Sequence, residues 1–349
     1  MADGSTSASR RDAELARERL ADWLWRSACE PCGHGESVVA RREHDGRAWV
    51  AYPEIAGYYL VFLARHGADH GPARIRAAAI ARWLGAWSAS DGTTRPRLHG
   101  GELTPDWRNR LHFLFDDAML LRGLAAAGAA GVLEREDAER LGDALWQRVL
   151  ALRDDHGCLR AVRGHGEVPP RWSTERGPFL FKALAALRRS ARVLPAPSAI
   201  QPASDELGRV LHPMLDRPLH PDCTHAALYA LEGAVLFAAD GLDLGPRHDL
   251  TACLELWPRA EPNQAARHDV VAQWLRLALL AGLTPDHPAA TTAVRALCAA
   301  IDDDGGMPFA PAPGDIRANT WCALFAWQAL DWWLRRAQSP LEEEREWLI

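Results

Sequence analysis

The stretch YPEIAGYYLVFLARHG, residues 52–67, decides how the chain is read. From Ile55 to Ala64 it is apolar on every side of a helical wheel, so a helix here must be surrounded by other elements. Pro53 suits the first helical turn, where a missing N–H costs nothing. Gly57 suits the close approach of a second backbone. Tyr52, Glu54 and Tyr58 nevertheless place polar groups at the mouth of this buried helix, and a buried charge is costly unless it is paired.

Five further segments share this character: DDAMLLRGLAAAGAAG (116–131), GPFLFKALAALRRSA (177–191), THAALYALEGAVLFAADG (224–241), HDVVAQWLRLALLAG (268–282) and NTWCALFAWQALDWW (319–333). Between them lie amphipathic, charged segments at 11–27, 71–90, 134–153, 203–215, 247–257 and 288–302. The two classes alternate, which gives about twelve helices in about six pairs. A helix apolar all round is enclosed by its neighbours, and one with a polar stripe lies outside. The starts of the enclosed helices recur about every 45 to 60 residues. Asp-Gly turns such as RDDHGCL and IDDDGGM follow the outer helices, and extended polar segments lead into the inner ones. The expected architecture is all-α: an (α/α)6 toroid, one domain over residues 1–349, with residues 1–10 flexible and 339–349 a tail. If the inner helices run the same way, their N-termini meet at one end and give it a partial positive charge.

The residues at those starts are polar. They are Tyr52, Glu54 and Tyr58; Asp116 and Asp117; Arg171, Trp172, Glu175 and Lys182; His220, Asp222, Cys223, His225 and Glu232; Arg267, His268, Asp269 and Gln273; and Asn319, Thr320 and Trp321. Asp, Asn and Thr at helix starts also serve as caps. Asp116 and Asp117 are adjacent and splay about 100° apart on a helix, so one at most faces a common cavity. Glu54, Lys182, Glu232 and Gln273 lie inside the helices, where capping does not account for them. Convergence of such groups points to a ligand site. Carboxylates across a cavity suit sugar chemistry, one protonating a leaving oxygen and another activating water. Glu54 or Asp116 is the expected general acid or base, partnered by Asp269 or Glu232, with Asp117 a further candidate. His225 and Tyr52 orient groups or relay protons. Trp49, Trp172 and Trp321 could stack on sugar rings or pack in the core. Arg171, Arg267 and Lys182 could hold a carboxylate or phosphate.

Bulk properties narrow the field. A net charge of −6 argues against a binder of phosphate backbones. No apolar run reaches the ~20 residues that cross a bilayer. The polar N-terminus and an odd count of 7 cysteines point to the cytoplasm. The expected partner is a small molecule or an oligosaccharide, with no cofactor, no nucleic acid and no membrane.

These segments resemble the α/α-toroid superfamily of glycoside hydrolases, polysaccharide lyases, sugar epimerases and terpenoid cyclases. YPEIAGYY, THAALYALEG, RHDVVAQWLRL and GDIRANTWCALFAWQAL more closely resemble toroid proteins encoded with bacterial polysaccharide-biosynthesis genes, from about Trp23 to about Trp333. The resemblance implies a carbohydrate or glycan-related substrate and carries no reaction with it; the ring of ionisable groups makes a hydrolase or a lyase the expected enzyme. It carries Tyr52, Glu54, Tyr58, His225, Glu232, Arg267, Asp269, Gln273, Asn319 and Trp321 as site residues. Three alternatives remain. A terpenoid cyclase would show DxDD or DDxxD, and neither DDAML nor IDDDGG matches. A zinc-dependent toroid enzyme could use Cys223, His225, Asp269 and Cys322, without the spacings of that family; the lone CxxC of CEPCGH (29–34) lacks a second pair. A non-catalytic glycan-binding protein would bind sugar without turnover.

Overall fold

The computed structural model describes residues 3–43, 46, 48, 51–89, 98–99, 102–103, 107–164, 167–214, 224–239, 267–310, 318–336 and 347–348. Eleven α-helices lie among them: α1 (Asp3–Ser27), α2 (Pro53–His66), α3 (Gly71–Ala89), α4 (Leu114–Ala129), α5 (Arg135–Leu150), α6 (Leu180–Ser190), α7 (Ile200–Leu211), α8 (Thr224–Ala239), α9 (His268–Leu280), α10 (Pro288–Ala300) and α11 (Thr320–Arg336). The helix expected at 247–257 lies outside the described residues, as do Trp49, His220, Asp222 and Cys223. Among the described residues no helix is long and apolar enough to cross a membrane.

The connectors form four antiparallel strand pairs: β1 (Cys29–Cys32) with β2 (Gly35–Val38), β3 (Arg41–Arg42) with β8 (Ala318–Asn319), β4 (Leu98–His99) with β5 (Glu102–Leu103), and β6 (Leu111–Phe113) with β7 (Val162–Gly164). The CxxC motif is the whole of β1. Three extended residue steps put its two cysteine positions about 10 Å apart, beyond the span of a disulfide. Cys29 is buried and Cys32 exposed.

The chain divides into two compact units. The middle unit comprises residues 29–39 and 48–218, and the terminal unit residues 1–28, 40–47 and 219–349. In the middle unit α4 packs between α2 and α6, and α5 packs between α3 and α7 on the outside. In the terminal unit α9 packs between α8 and α11, while α1 and α10 touch each other on the outside. The burial patterns explain the sorting. In α2 every residue from Pro53 to Ala64 is buried, whereas α5 buries only Ala138, Leu141, Gly142, Leu145, Trp146 and Val149, a single stripe.

Two local features tie sequence to packing. A Cβ built on Gly57 would lie 2.3 Å from the Met119 carbonyl oxygen, and one on Gly123 would lie 2.3 Å from the Gly57 carbonyl oxygen. The backbones of α2 and α4 therefore touch where no side chain fits. The outer helices α5 and α10 end in the same turn. Asp154 Oδ1 accepts from Cys158 N at 3.0 Å, and Asp302 Oδ1 accepts from Gly306 N at 2.6 Å. The left-handed residue is Gly157 at φ +82° in one and Gly305 at φ +87° in the other. DDHGC and DDDGG are thus one turn used in both units.

Candidate active site

In the terminal unit the inner helices bring their first turns together, because His225 of α8, Asp269 of α9 and Trp321 of α11 all meet. His225 Nδ1 lies 3.0 Å from Gln273 Oε1 and 3.8 Å from Asp269 Oδ2. Its ring centroid is 5.8 Å from that of Trp321 and 4.4 Å from that of Tyr229. An Nδ1–H donating to the Gln273 oxygen leaves the imidazole lone pair on Nε2. Burial pushes the His225 pKa down to about 4, and the Asp269 charge opposes this only in part. The imidazole is therefore neutral near pH 7. The Gln273 side chain is fully buried, and its Nε2 has no hydrogen-bond partner among the described residues.

The two buried carboxylates among the described residues of this unit are committed to arginines. Asp269 is fully buried and takes Arg267 Nε at 3.0 Å on Oδ1, with a second Arg267 nitrogen on Oδ2. The Arg267 guanidinium also covers the Phe309 ring at 4.3 Å. Deeper in the unit, Arg276 NH2 donates to Glu232 Oε1 at 2.7 Å and Arg276 NH1 to Gln328 Oε1 at 2.8 Å. Glu232 and Arg276 have no exposed surface, and the guanidinium sits 4.0 Å from the Phe325 ring centroid. Asn319 is a cap, because its Oδ1 accepts from Cys322 N at 3.0 Å, three residues on.

The middle unit also gathers its inner helix starts. Tyr52, preceding α2, donates its hydroxyl to the Asp116 carboxylate of α4 at 3.3 Å, and Phe115 of α4 meets Phe179 before α6. Asp116 is half-buried. Asp117 turns the other way. It is fully buried, holds His112, and takes Arg148 of the outer helix α5 at 3.0 Å. Burial alone would raise the Asp117 pKa, but His112 and Arg148 outweigh it and hold the carboxyl below its usual range. The expected splay of the two aspartates is what the helix produces, and Asp117 is an ion pair between helix layers. Glu54 is 2% exposed. Lys182 is fully buried, its Nζ 4.9 Å from the Tyr58 ring centroid. Trp172 and Glu175 are exposed on the turn before α6.

Several residues of these clusters escape sequence reasoning. Tyr229 lies one turn after His225, and Arg276 and Gln328 are polar residues inside apolar helices, so each carried a usable signal. Arg148 and His112 carried none. Among the described residues no group of three or more His, Cys, Asp or Glu side chains forms a metal site.

No protein-family model matches the chain, and no curated protein is similar to it in sequence. Solved structures are similar over nearly its whole length. A novel alpha-amylase from Clostridium perfringens aligns with a TM-score of 0.64 at 10% identity, covering 91% of this chain and 97% of that one. A sugar epimerase from a ruminal bacterium aligns at 0.64 and 10%, covering 94% and 99%. The cellobiose 2-epimerase from Spirochaeta thermophila aligns at 0.62 and 16%, covering 93% and 97%. The fold is an (α/α)6 toroid.

Proposed function

We propose that the protein is a carbohydrate-active enzyme in which His225 is the general base. The observation that carries this reading is the pairing of a neutral, nearly buried imidazole with Gln273 on one side and the Asp269 carboxylate at 3.8 Å. Gln273 fixes the tautomer, so Nε2 is the atom that accepts a proton. As the imidazolium forms, the nearby Asp269 carboxylate stabilises it, and Arg267 holds that carboxylate in orientation. Asp269 and Glu232 are instead engaged by arginines, Arg267 and Arg276. Trp321, edge-on to the imidazole, supports a sugar ring beside it. The epimerases and glycosidases among the solved structures of this fold support a sugar as substrate.

A second reading rests on Tyr52 and Asp116. Asp116 is a half-buried carboxylate at a helix start, held by a phenol hydroxyl, and such a group suits the acid or base of a glycosidase. Glu54, two residues after Tyr52 at the start of α2, is a further carboxyl of this entry.

The two readings separate in one experiment. The protein is incubated with neutral and acidic mono- and oligosaccharides in D2O and followed by NMR. Deuterium appearing on a sugar carbon, lost in His225→Asn and kept in Asp116→Asn, supports the first reading. New reducing ends, lost in Asp116→Asn and kept in His225→Asn, support the second. Sugar binding without turnover of any substrate overturns both and leaves a glycan-binding protein.

A further inference from the structure

The middle unit carries a cationic aromatic patch that the chemistry above does not use. Trp107 opens the 3₁₀ turn Trp107–Arg110, which leads through β6 into α4. Two guanidiniums lie against its ring, Arg108 at 5.3 Å and Arg171 at 5.5 Å from the centroid. Next to Arg171 stands Trp172, 41% exposed and the one aromatic among the exposed large hydrophobic side chains of the described residues. Its ring does not swing freely. It stands edge-on to Phe179 at 5.1 Å and 86°, and Phe179 in turn packs 5.9 Å from Phe115. The turn that carries it is fixed as well, since Arg171 N donates to Thr174 Oγ1 at 2.9 Å and that hydroxyl donates to the Pro169 carbonyl at 2.8 Å.

The patch has the parts that recognise an acidic sugar. A rigid indole presents a flat apolar face to the C–H face of a pyranose. A guanidinium presents a fork that fits a carboxylate. Arg171 makes no ion pair among the described residues, neither with Glu167 nor with Glu175 nearby in sequence, so its charge is available to a ligand. The other cations expected to hold an anion are spent elsewhere. Arg267 is bidentate to Asp269, and Lys182 is fully buried over Tyr58.

We infer that Trp172, Arg171 and Arg108 form a binding subsite for a hexuronate residue of an oligosaccharide. This rests on the carbohydrate reading of the protein, but it does not depend on which residue is the catalytic base. The test is calorimetric titration of the full chain, at two salt concentrations, with an oligogalacturonate, a neutral malto-oligosaccharide of equal length and inorganic phosphate. The uronate is expected to bind at least about tenfold tighter than the neutral sugar, a difference worth one charge-assisted contact. Arg171→Ala should remove about that factor, Arg171→Lys should restore part of it, and Trp172→Ala should weaken both sugars. Added salt should weaken the uronate alone. Equal affinity for the charged and neutral sugars overturns the inference, and so does an Arg171→Ala protein that binds uronate unchanged. Phosphate binding as tightly as the uronate, with Trp172→Ala silent, would make the patch a plain anion site and overturn the sugar assignment. Uronate binding without turnover of any sugar would count against the catalytic readings and leave this one standing.

Discussion

The inner helices of the two units show the same repeat put to different uses. In the terminal unit both carboxylates singled out above are locked: Asp269 by Arg267 and Glu232 by Arg276. Beside them the His225 imidazole is neutral and paired with Gln273. In the middle unit the carboxylates of α4 divide, Asp117 tied to the outer helix through Arg148 and Asp116 left half-buried against the Tyr52 hydroxyl. The source of the arginine makes the difference. Arg267 and Arg276 come from the inner helix region itself and pair with its buried charge. Arg148 comes from outside and pulls one carboxylate away from its neighbour. Helix pairing thus sets where polar groups gather, and the placement of single arginines sets which of them can do chemistry.

The most disruptive way to break this contrast is to expose the terminal unit's buried charge. Arg276→Met leaves the buried Glu232 carboxyl without its partner and should cost about 3–5 kcal/mol in urea unfolding, while the double variant with Glu232→Gln recovers much of it. The next effect is a pH dependence. His225 has a folded pKa of about 4 against an ordinary 6.5, so the unfolded chain binds the extra proton first. Its contribution is therefore fully present above about pH 6.5, is lost as pH falls, and levels off below about pH 4, for a total of about 3 kcal/mol. Thermal melts from pH 7 to pH 4 should show this slope, and His225→Gln should flatten it. In the middle unit Gly57→Ala places a methyl against the backbone of α4 and should cost about 3 kcal/mol in the same unfolding assay. The smallest effect belongs to Tyr52→Phe, which removes the hydroxyl from Asp116 and should cost about 1 kcal/mol. A Tyr52→Phe change that abolished sugar turnover at so small a stability cost would favour the carboxylate reading of the middle unit.

The fold was legible because its signal is long and redundant. Enclosed segments such as 54–67 and 268–282 carry no polar stripe, the amphipathic ones alternate with them, and the DDHGC and DDDGG turns mark the repeat twice. Gly57 was legible as a contact point because a glycine inside an apolar helix is costly without one. The site was legible only as a set of positions. That polar groups gather at the inner helix starts follows from the repeat. Which group pairs with which depends on side chains reaching between helices, as Arg148 does from α5 to Asp117, and no spacing along the chain encodes that reach. Asn319 is the opposite case, a local cap in a local pattern, and three residues suffice to read it.

The notch between Gly57 and Gly123 has a mechanical consequence. At this notch backbone rests on backbone, so no side chain there can change rotamer and let one helix slide past the other. The two helices move as one stiff beam. Tyr52 and Asp116 stand at its end, so thermal motion carries the phenol and the carboxylate together. The hydrogen bond between them therefore keeps its geometry while the pair moves.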